Sequence, residues 1–206
     1  MRNALVTTVG ILMFAVASGW SQHGSEPAPA APQPQPVARS LAVYRPPTQQ
    51  ERLRSYLRHT FGVSSVIEAG VRGGIDQAAD SPSQWPEGAE GYGDRFGSAL
   101  GQIVVRGTTE YAVADAFRED IRFIPCAHPC QDSAVKRAFQ DTFTARKGDD
   151  GHRAFSFARF LGPIAAGVVV KETWYPGGYG NGTIVREAGV NYGFSFLRNW
   201  MREVAH

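Results

Sequence analysis

Apolar side chains recur at three- and four-residue intervals through most of the chain after position 48, which is the spacing of amphipathic helices. Leu53, Leu57 and Phe61 share one face of the first predicted helix, and Thr48 is placed to cap it. Helices are predicted over six segments, namely 49–61, 64–79, 88–117, about 132–143, 163–174 and 183–204. The chain is therefore predicted to be mainly α, a compact bundle of about five to six helices.

Small residues repeat along these helices at the same four-residue spacing. The predicted helix-packing positions are Gly93, Gly97, Gly101, Gly189 and Gly193. A helix glycine costs about 1 kcal/mol relative to alanine, so a stripe of them indicates close contact with a neighbouring helix. The pattern predicts Gly-x-x-x-Gly seams that join the helices, with the second and third helices as a close-packed pair.

A β alternative remains open for the carboxyl-terminal third. Residues 168–185 and 142–146 carry β-branched side chains typical of strands, and 168–185 has a glycine-rich turn at its centre. A hairpin there would make the domain α+β. The flanking charges do not alternate cleanly with the apolar positions, which favours helices.

The amino terminus has the pattern of an export signal. Arg2 precedes an apolar run that ends in Ala15-Val16-Ala17, which predicts a signal peptide over 1–17 with cleavage after Ala17. An uncleaved anchor is the alternative, because the run approaches the roughly 18 residues needed to span a bilayer. Residues 18–47 are rich in Pro and Ala and are predicted to be a disordered linker before a helical domain over 48–206. The expected location is the periplasm or the outer membrane.

Composition adds one exclusion. Lys and Arg total 21 against 19 Asp and Glu, and no stretch concentrates the basic residues. Nucleic-acid binding requires a clustered positive surface, so no nucleic acid is predicted as a partner.

Cys126 and Cys130 are the only cysteines. In an exported chain, two cysteines this close most often form a local disulfide. The alternative is a thiol-redox or metal-binding loop formed by Cys126, His128 and Cys130. Redox dithiols usually have two intervening residues, and a structural zinc ion would need a fourth ligand. The disulfide is therefore the prediction, with no metal and no cofactor.

No catalytic residues are assigned. The chain contains no G-x-S-x-G element for a nucleophilic serine. Asp149, Asp150 and His152 have the composition of an exposed turn between helices, with a cation site as the alternative. Paired carboxylates for glycoside hydrolysis are conceivable among four acidic residues, Glu110, Asp115, Glu119 and Asp120. A solvated helix end has the same spacing.

Trp174, Tyr175 and Tyr179 adjoin a glycine-rich turn. Such rings could meet a membrane interface or stack on a ligand, or they could anchor the turn to the core. They are the candidate interface or ligand residues of the sequence.

Residues 88–97, GAEGYGDRFG, together with the FARFLGPIAAG run and the TWYPGG turn, resemble an uncharacterised family of exported bacterial envelope proteins. The family pattern is G-x-x-G-Y-G-x-R-F-G followed by a late aromatic-Tyr-Pro turn, and the likeness covers about 84 to the carboxyl end. That family has no established activity, so the resemblance implies an envelope location and helix packing only.

The sequence thus predicts a non-enzymatic exported envelope protein that acts as a structural or interaction module. Its expected partner is the envelope membrane or another envelope protein. The small-residue seams are the reason for expecting such a partner, since contacts of this kind let helices pack where lipid is the solvent. The competing hypothesis is an exported thiol-redox or metal-binding protein.

Overall fold

The computed structural model describes residues 44–125, 131–175 and 180–205, all within the compact unit Leu41–His206. The described residues form six helices and two strands, in the order α1 Gln49–Phe61, α2 Val63–Ala78, α3 Gly88–Ala116, α4 Ala134–Phe143, β1 Thr144–Lys147, β2 His152–Phe155, α5 Phe157–Thr173 and α6 Gly182–Val204. The prediction of a mainly helical fold is confirmed. The predicted signal peptide over 1–17, and the predicted linker as far as residue 43, lie outside the described residues.

The long helix α3 is the centre of the packing. It packs most extensively against α5 and α2 and also contacts α1, whereas α6 packs against α4 and α5. Ala69, Ala99 and Ile103 form a small apolar cluster where α2 meets α3. The predicted pairing of the second and third helices is therefore confirmed.

The helix starts follow from capping side chains. Thr48 accepts a hydrogen bond from the Glu51 N–H, and the Glu51 carboxylate accepts one from the Thr48 N–H, which is a complete capping box. Order begins earlier than predicted, because the Tyr44 hydroxyl donates to Asp120 at 3.2 Å and Pro47 is buried. The last part of the predicted linker, 44–47, thus belongs to the folded domain.

Helix α5 starts six residues before Pro163, which was predicted to stand in its first turn. Ser156 caps the helix, and the fully buried Glu119 carboxylate accepts the backbone N–H groups of Phe157 at 3.0 Å and Ala158 at 3.2 Å. These bonds satisfy donors that a helix start leaves without partners. A carboxylate distant in sequence therefore moves the helix start forward and leaves Pro163 in the helix interior.

The hairpin of the structure is not the one considered from the sequence. β1 pairs antiparallel with β2, with Thr144 opposite Phe155 and Lys147 opposite His152. The described parts of 168–185 lie largely in α5 and α6, so the alternative prediction of a C-terminal hairpin is wrong.

Asp149 and Asp150 occupy the turn between the strands, not a turn between helices. The turn forms here because Gly148 and Gly151 supply positive φ angles of 68° and 65°.

Four of the five predicted packing glycines face away from the neighbouring helices. Apart from the backbone of its own helix, a Cβ at any of these positions would meet no described atom within 4 Å, and the four are Gly93, Gly97, Gly189 and Gly193. Only Gly101 contacts another element, because a Cβ there would lie 3.0 Å from the Trp174 ring. The seams predicted at the other four positions are wrong, since the opposite, polar faces of α3 and α6 turn inward.

Close helix contacts occur instead at Gly73 and Gly167. A Cβ at Gly73 would lie 3.0 Å from the Phe96 backbone nitrogen, and one at Gly167 would lie 2.8 Å from the Ile184 carbonyl oxygen. Because backbone atoms cannot rotate away as side chains do, α5 and α6 can approach this closely only with glycine at 167.

Gly167→Ala is expected to lower the free energy of unfolding by about 1–3 kcal/mol, because the added methyl group overpacks the α5–α6 contact. Gly97→Ala is the matched control and is expected to raise the free energy of unfolding by about 0.5–1 kcal/mol through helix propensity alone. Denaturant unfolding followed by circular dichroism measures both. A stabilising Gly167→Ala would contradict the contact.

Candidate functional site

The interior of the bundle is polar. Helix α6 buries a polar side chain at every fourth position, and the stripe comprises Thr183, Glu187, Asn191, Ser195, Asn199 and Glu203. On α2 the charged side chains of Glu68 and Arg72 are buried or nearly so, with side-chain exposures of 10% and 1%. A four-residue spacing keeps side chains on one helix face, so these two faces converge.

Arg72 is the centre of the first interior network. Its guanidinium donates to Gln102 Oε1 at 2.7 Å and to Asn191 Oδ1 at 3.1 Å. Asn191 donates to Gln102 Oε1 at 2.9 Å, and Gln102 Nε2 donates to Glu187 Oε2 at 3.1 Å. Glu187 also lies 3.7 Å from Arg72. Hydrogen bonds between side chains therefore join α2, α3 and α6.

A second network lies next to the first. The Glu68 carboxylate forms ion pairs with Arg106 at 3.1 Å and with Arg198 at 3.2 Å. Arg106 also donates a hydrogen bond to Asn191 Oδ1 at 3.2 Å. Burial raises the pKa of Glu68, but the charges of Arg106, Arg198 and Arg72 outweigh it and hold the pKa below its usual value. Glu68 is thus an ionised link between α2, α3 and α6.

The outer surface is uncharged on α2 and largely apolar on α6, where Arg186 is the exposed charged residue. Every exposed residue of α2 is apolar or small and uncharged, and these residues are Val63, Ser64, Val66, Ile67, Val71, Gly74, Ile75 and Ala78. Val63 is 76% exposed and Ile67 is 62% exposed. On α6, Val185 is 74% exposed and Met201 is 52% exposed. The polarity of these two helices is inverted relative to the usual amphipathic helix of a water-soluble protein.

Among the described residues, no helix is both long and apolar enough to cross a bilayer.

A cavity of about 90 Å³ lies between α1, α3 and α6 and the segment 119–123 that follows α3. Six arginines contribute to its lining, among them Arg106, Arg159, Arg198 and Arg202. Tyr56, Tyr111 and Phe123 supply aromatic walls. The cavity has room for several water molecules or one small polar group.

His59 and Glu110 are two groups of the cavity whose pKa values are shifted. Burial, followed by the charges of Arg202, Arg198 and Arg159, lowers the pKa of His59 to about 4. Burial also raises the pKa of Glu110, although neighbouring arginines oppose the change. His59 is therefore a neutral imidazole near pH 7, and its Nδ1 accepts from Arg202 at 3.2 Å.

The four acidic residues considered for glycoside hydrolysis do not form one constellation. Glu110 faces the cavity, whereas Asp115 is exposed and accepts from Gln49 at 2.7 Å. Glu119 caps α5, and Asp120 accepts from Arg122 at 2.9 Å. Glu110, Glu119 and Asp120 all line the cavity, but Glu119 and Asp120 are held by these structural contacts and Asp115 does not line it.

The aromatic candidates near the turn pack against the bundle. Trp174 Nε1 donates to Ser98 Oγ at 3.0 Å, and the Tyr175 hydroxyl donates to Glu187 at 3.2 Å. The Tyr175 ring meets the Trp85 ring edge-on at 5.5 Å between centroids. Tyr179 lies outside the described residues. Trp174 and Tyr175 thus have the geometry of anchors, although Trp174 is still 37% exposed.

Cys126, His128 and Cys130 lie outside the described residues, so both the predicted disulfide and the alternative redox or metal loop stay predictions. Among the described residues, no group of three or more His, Cys, Asp or Glu side chains is arranged to hold a metal ion. The Asp150–His152 pair, at 2.9 Å, is a contact within the exposed hairpin turn.

In comparisons with known proteins, no family model, no curated protein and no solved structure matches this chain. The structure by itself defines a class: a mainly helical protein with a charged, hydrogen-bonded interior and with apolar outer faces on α2 and α6.

Sequence reasoning missed the interior network. The signal that could have revealed it is the four-residue repeat of polar residues, Glu187, Asn191, Ser195 and Asn199, on a helix whose remaining positions are largely apolar or glycine. Arg72 gives the same signal on α2, four residues after Glu68 and four before Asp76.

Proposed function

We propose that the protein is a non-enzymatic, exported envelope protein whose helical domain contacts membrane lipid through its outward apolar helix faces. One observation carries the proposal, namely the inverted polarity of α2. Its three charged residues, Glu68, Arg72 and Asp76, are buried or partly buried, while its exposed positions carry no charge.

The energetics favour an apolar surrounding for such a helix. In water, apolar surface costs roughly 25 cal/mol for each Å² that stays exposed. Against lipid the same faces carry no such cost, and polar groups are expected to face the bundle interior and pair with one another. The pairing of Arg72 and Glu68 with partners on α3 and α6 meets that condition.

Lipid fits the distribution of apolar residues better than one protein partner does. Large hydrophobic side chains are exposed on α1, α2, α4, α5 and α6, with Leu57, Ile67, Phe139, Phe160 and Met201 as examples. A single partner covers one face, whereas lipid surrounds several. The outward glycines of α3 and α6 add narrow faces against which another membrane helix could pack.

The decisive experiment is fractionation of native cells followed by an alkaline carbonate wash of the envelope. The full chain is expected to remain in the washed membrane. In the double variant Ile67→Lys/Val71→Lys, two charges stand on the outward face of α2, and most of the protein is expected in the wash.

The matched control is Ser83→Lys/Gln131→Lys, which adds the same charge at two exposed polar positions and is expected to stay with the membrane. Complete release of the unmodified chain would overturn the lipid proposal. Release together with a cross-linked envelope protein would indicate a protein partner in place of lipid. Recovery of the chain from the cytoplasm would contradict the proposed export.

A further inference from the structure

The arginine-lined cavity carries an excess of positive charge. Six arginines and four carboxylates of the described chain line it, namely Arg52, Arg106, Arg122, Arg159, Arg198, Arg202, Glu110, Glu119, Asp120 and Asp141. Four residues just outside it, Glu51, Glu68, Lys147 and Arg153, form ion pairs with lining residues, and including all four leaves the excess at two.

Two of the carboxylates that line the cavity, those of Glu119 and Asp141, already have hydrogen-bond or ion-pair partners. Glu119 accepts from the Ser156 hydroxyl at 2.5 Å and lies 3.0 Å from Lys147 Nζ. Asp141 Oδ1 accepts from Arg153 at 2.6 Å. Glu110 also faces Arg106, Arg159 and Arg198, but burial raises the pKa of its carboxyl and favours the neutral acid, so it offsets less of their charge than an ionised carboxylate would.

Those arginines retain unused donors. Arg159 makes one hydrogen bond to the described chain, to the Ile121 carbonyl oxygen at 2.9 Å. Arg202 makes one, to His59 Nδ1 at 3.2 Å. Arg198 Nε is buried and has no hydrogen-bond partner among the described residues. A buried guanidinium donor without an acceptor is costly, so the arrangement favours an added acceptor.

The pKa of the His59 imidazole reflects the same positive charges. After burial, the largest contributions that lower its pKa come from Arg202, Arg198 and Arg159. The three guanidinium groups therefore act on one point in the cavity.

We propose that this cavity binds a phosphate group, either inorganic phosphate or a phosphate monoester, with Arg159, Arg198 and Arg202 as the donors. A guanidinium group offers a planar fork of N–H donors that matches phosphate oxygens in pairs. The excess of two positive charges matches a phosphate dianion, and the cavity of about 90 Å³ has room for one phosphate group.

A phosphate group could come from the free ion or from the head group of a lipid such as phosphatidic acid. The shared chemistry is the tetrahedral oxyanion, and the site takes it in either case. Binding of the free ion does not require the domain to contact lipid. Phosphate binding can therefore be disproved without disproving lipid contact, and lipid contact without disproving phosphate binding.

The test is isothermal titration of the full chain, in non-ionic detergent, with inorganic phosphate at constant ionic strength. Saturable binding is expected. Arg159→Gln and Arg202→Gln are each expected to weaken it about tenfold or more, since each removes charge-assisted hydrogen bonds. Arg54→Gln, at an exposed position of α1, is the control and is expected to bind as the unmodified chain does.

Line broadening of the phosphate phosphorus resonance gives a second readout, and circular dichroism shows which variants are folded. If one variant does not fold, the other carries the comparison. Short-chain phosphatidic acid that displaces phosphate supports a lipid head group as the source, and phosphate binding without displacement supports the free ion. Absence of saturable binding, or unchanged affinity in both arginine variants, overturns the site.

Discussion

Arg72→Met is expected to lower the free energy of unfolding by about 3–5 kcal/mol, the largest effect of any single substitution considered for this protein. Methionine fills most of the volume of the arginine stem but supplies no donor. Gln102 Oε1 and Asn191 Oδ1 then each lose the hydrogen bond from Arg72, and Glu187 loses its ion-pair partner on α2. A buried carboxylate that loses a cation is expensive because no water replaces it.

The cause can be separated from lost packing by a double-mutant cycle. Glu187→Met alone is also expected to destabilise the fold, since Gln102, Arg186 and Tyr175 lose their shared hydrogen-bond acceptor and Arg72 loses its ion-pair partner. The double variant is expected to cost less than the sum of the two single variants, by about 1–3 kcal/mol. Denaturant unfolding in one detergent measures the three variants, with Arg54→Met as an exposed control.

Strict additivity in that cycle would show that Arg72 and Glu187 do not interact in the folded protein. It would also weaken the view of the interior as one connected network. Equal destabilisation by Arg54→Met would show that the loss is not specific to the buried site.

The helices could be predicted from the sequence because their periodicity and caps are local. Thr48 and Ser133 start α1 and α4 through their own side chains, and the 3.6-residue period holds whichever face is buried. Periodicity alone does not state which face that is. On α2 the apolar face of Val66, Ile67 and Val71, which in an ordinary amphipathic helix would face the core, is the outer face.

The choice of face depends on partners distant in the chain. Arg72 turns inward because Gln102 and Asn191 lie opposite it, 30 and 119 residues away in sequence. The glycine prediction failed for the same reason. Gly93 and Gly97 share a helix with Arg95, whose burial against the Ser81 and Pro82 carbonyl oxygens turns the glycine face outward.

The hairpin and the cavity also require tertiary information. On β1, Arg146 forms an antiparallel β-bridge with Asp120, so part of the pairing of this strand comes from a residue outside the hairpin. The cavity joins His59 of α1, Arg159 of α5 and Arg202 of α6. No spacing in the sequence relates these three positions, which is why sequence reasoning did not find the cavity.

Acid is expected to destabilise the protein through His59. Its pKa is lowered to about 4 in the folded chain, from an ordinary value of 6.5, first by burial and then by Arg202, Arg198 and Arg159, with Arg58 of its own helix. Between those two values the unfolded chain binds a proton that the folded chain does not. Stability is therefore lost as the pH falls from about 6.5 to about 4, by up to about 3 kcal/mol.

The measurement compares the free energy of unfolding of the unmodified chain and of His59→Gln at pH 7 and at pH 4.5. The variant keeps a polar side chain without an ionisable imidazole, so its loss on acidification is expected to be smaller by about 2 kcal/mol. His152→Gln, in the exposed hairpin turn, is the comparison for loss of a histidine outside the cavity.

The buffers for this comparison must contain no phosphate, because an anion beside Arg202 and Arg159 would reduce the positive potential at His59. Carboxylates such as Glu68, whose pKa lies below its usual value, add a further loss at lower pH, and they remain in both chains. A difference between the two pH profiles therefore belongs to His59. Parallel profiles would show that the imidazole is not held neutral, and they would contradict the positive potential inferred for the cavity.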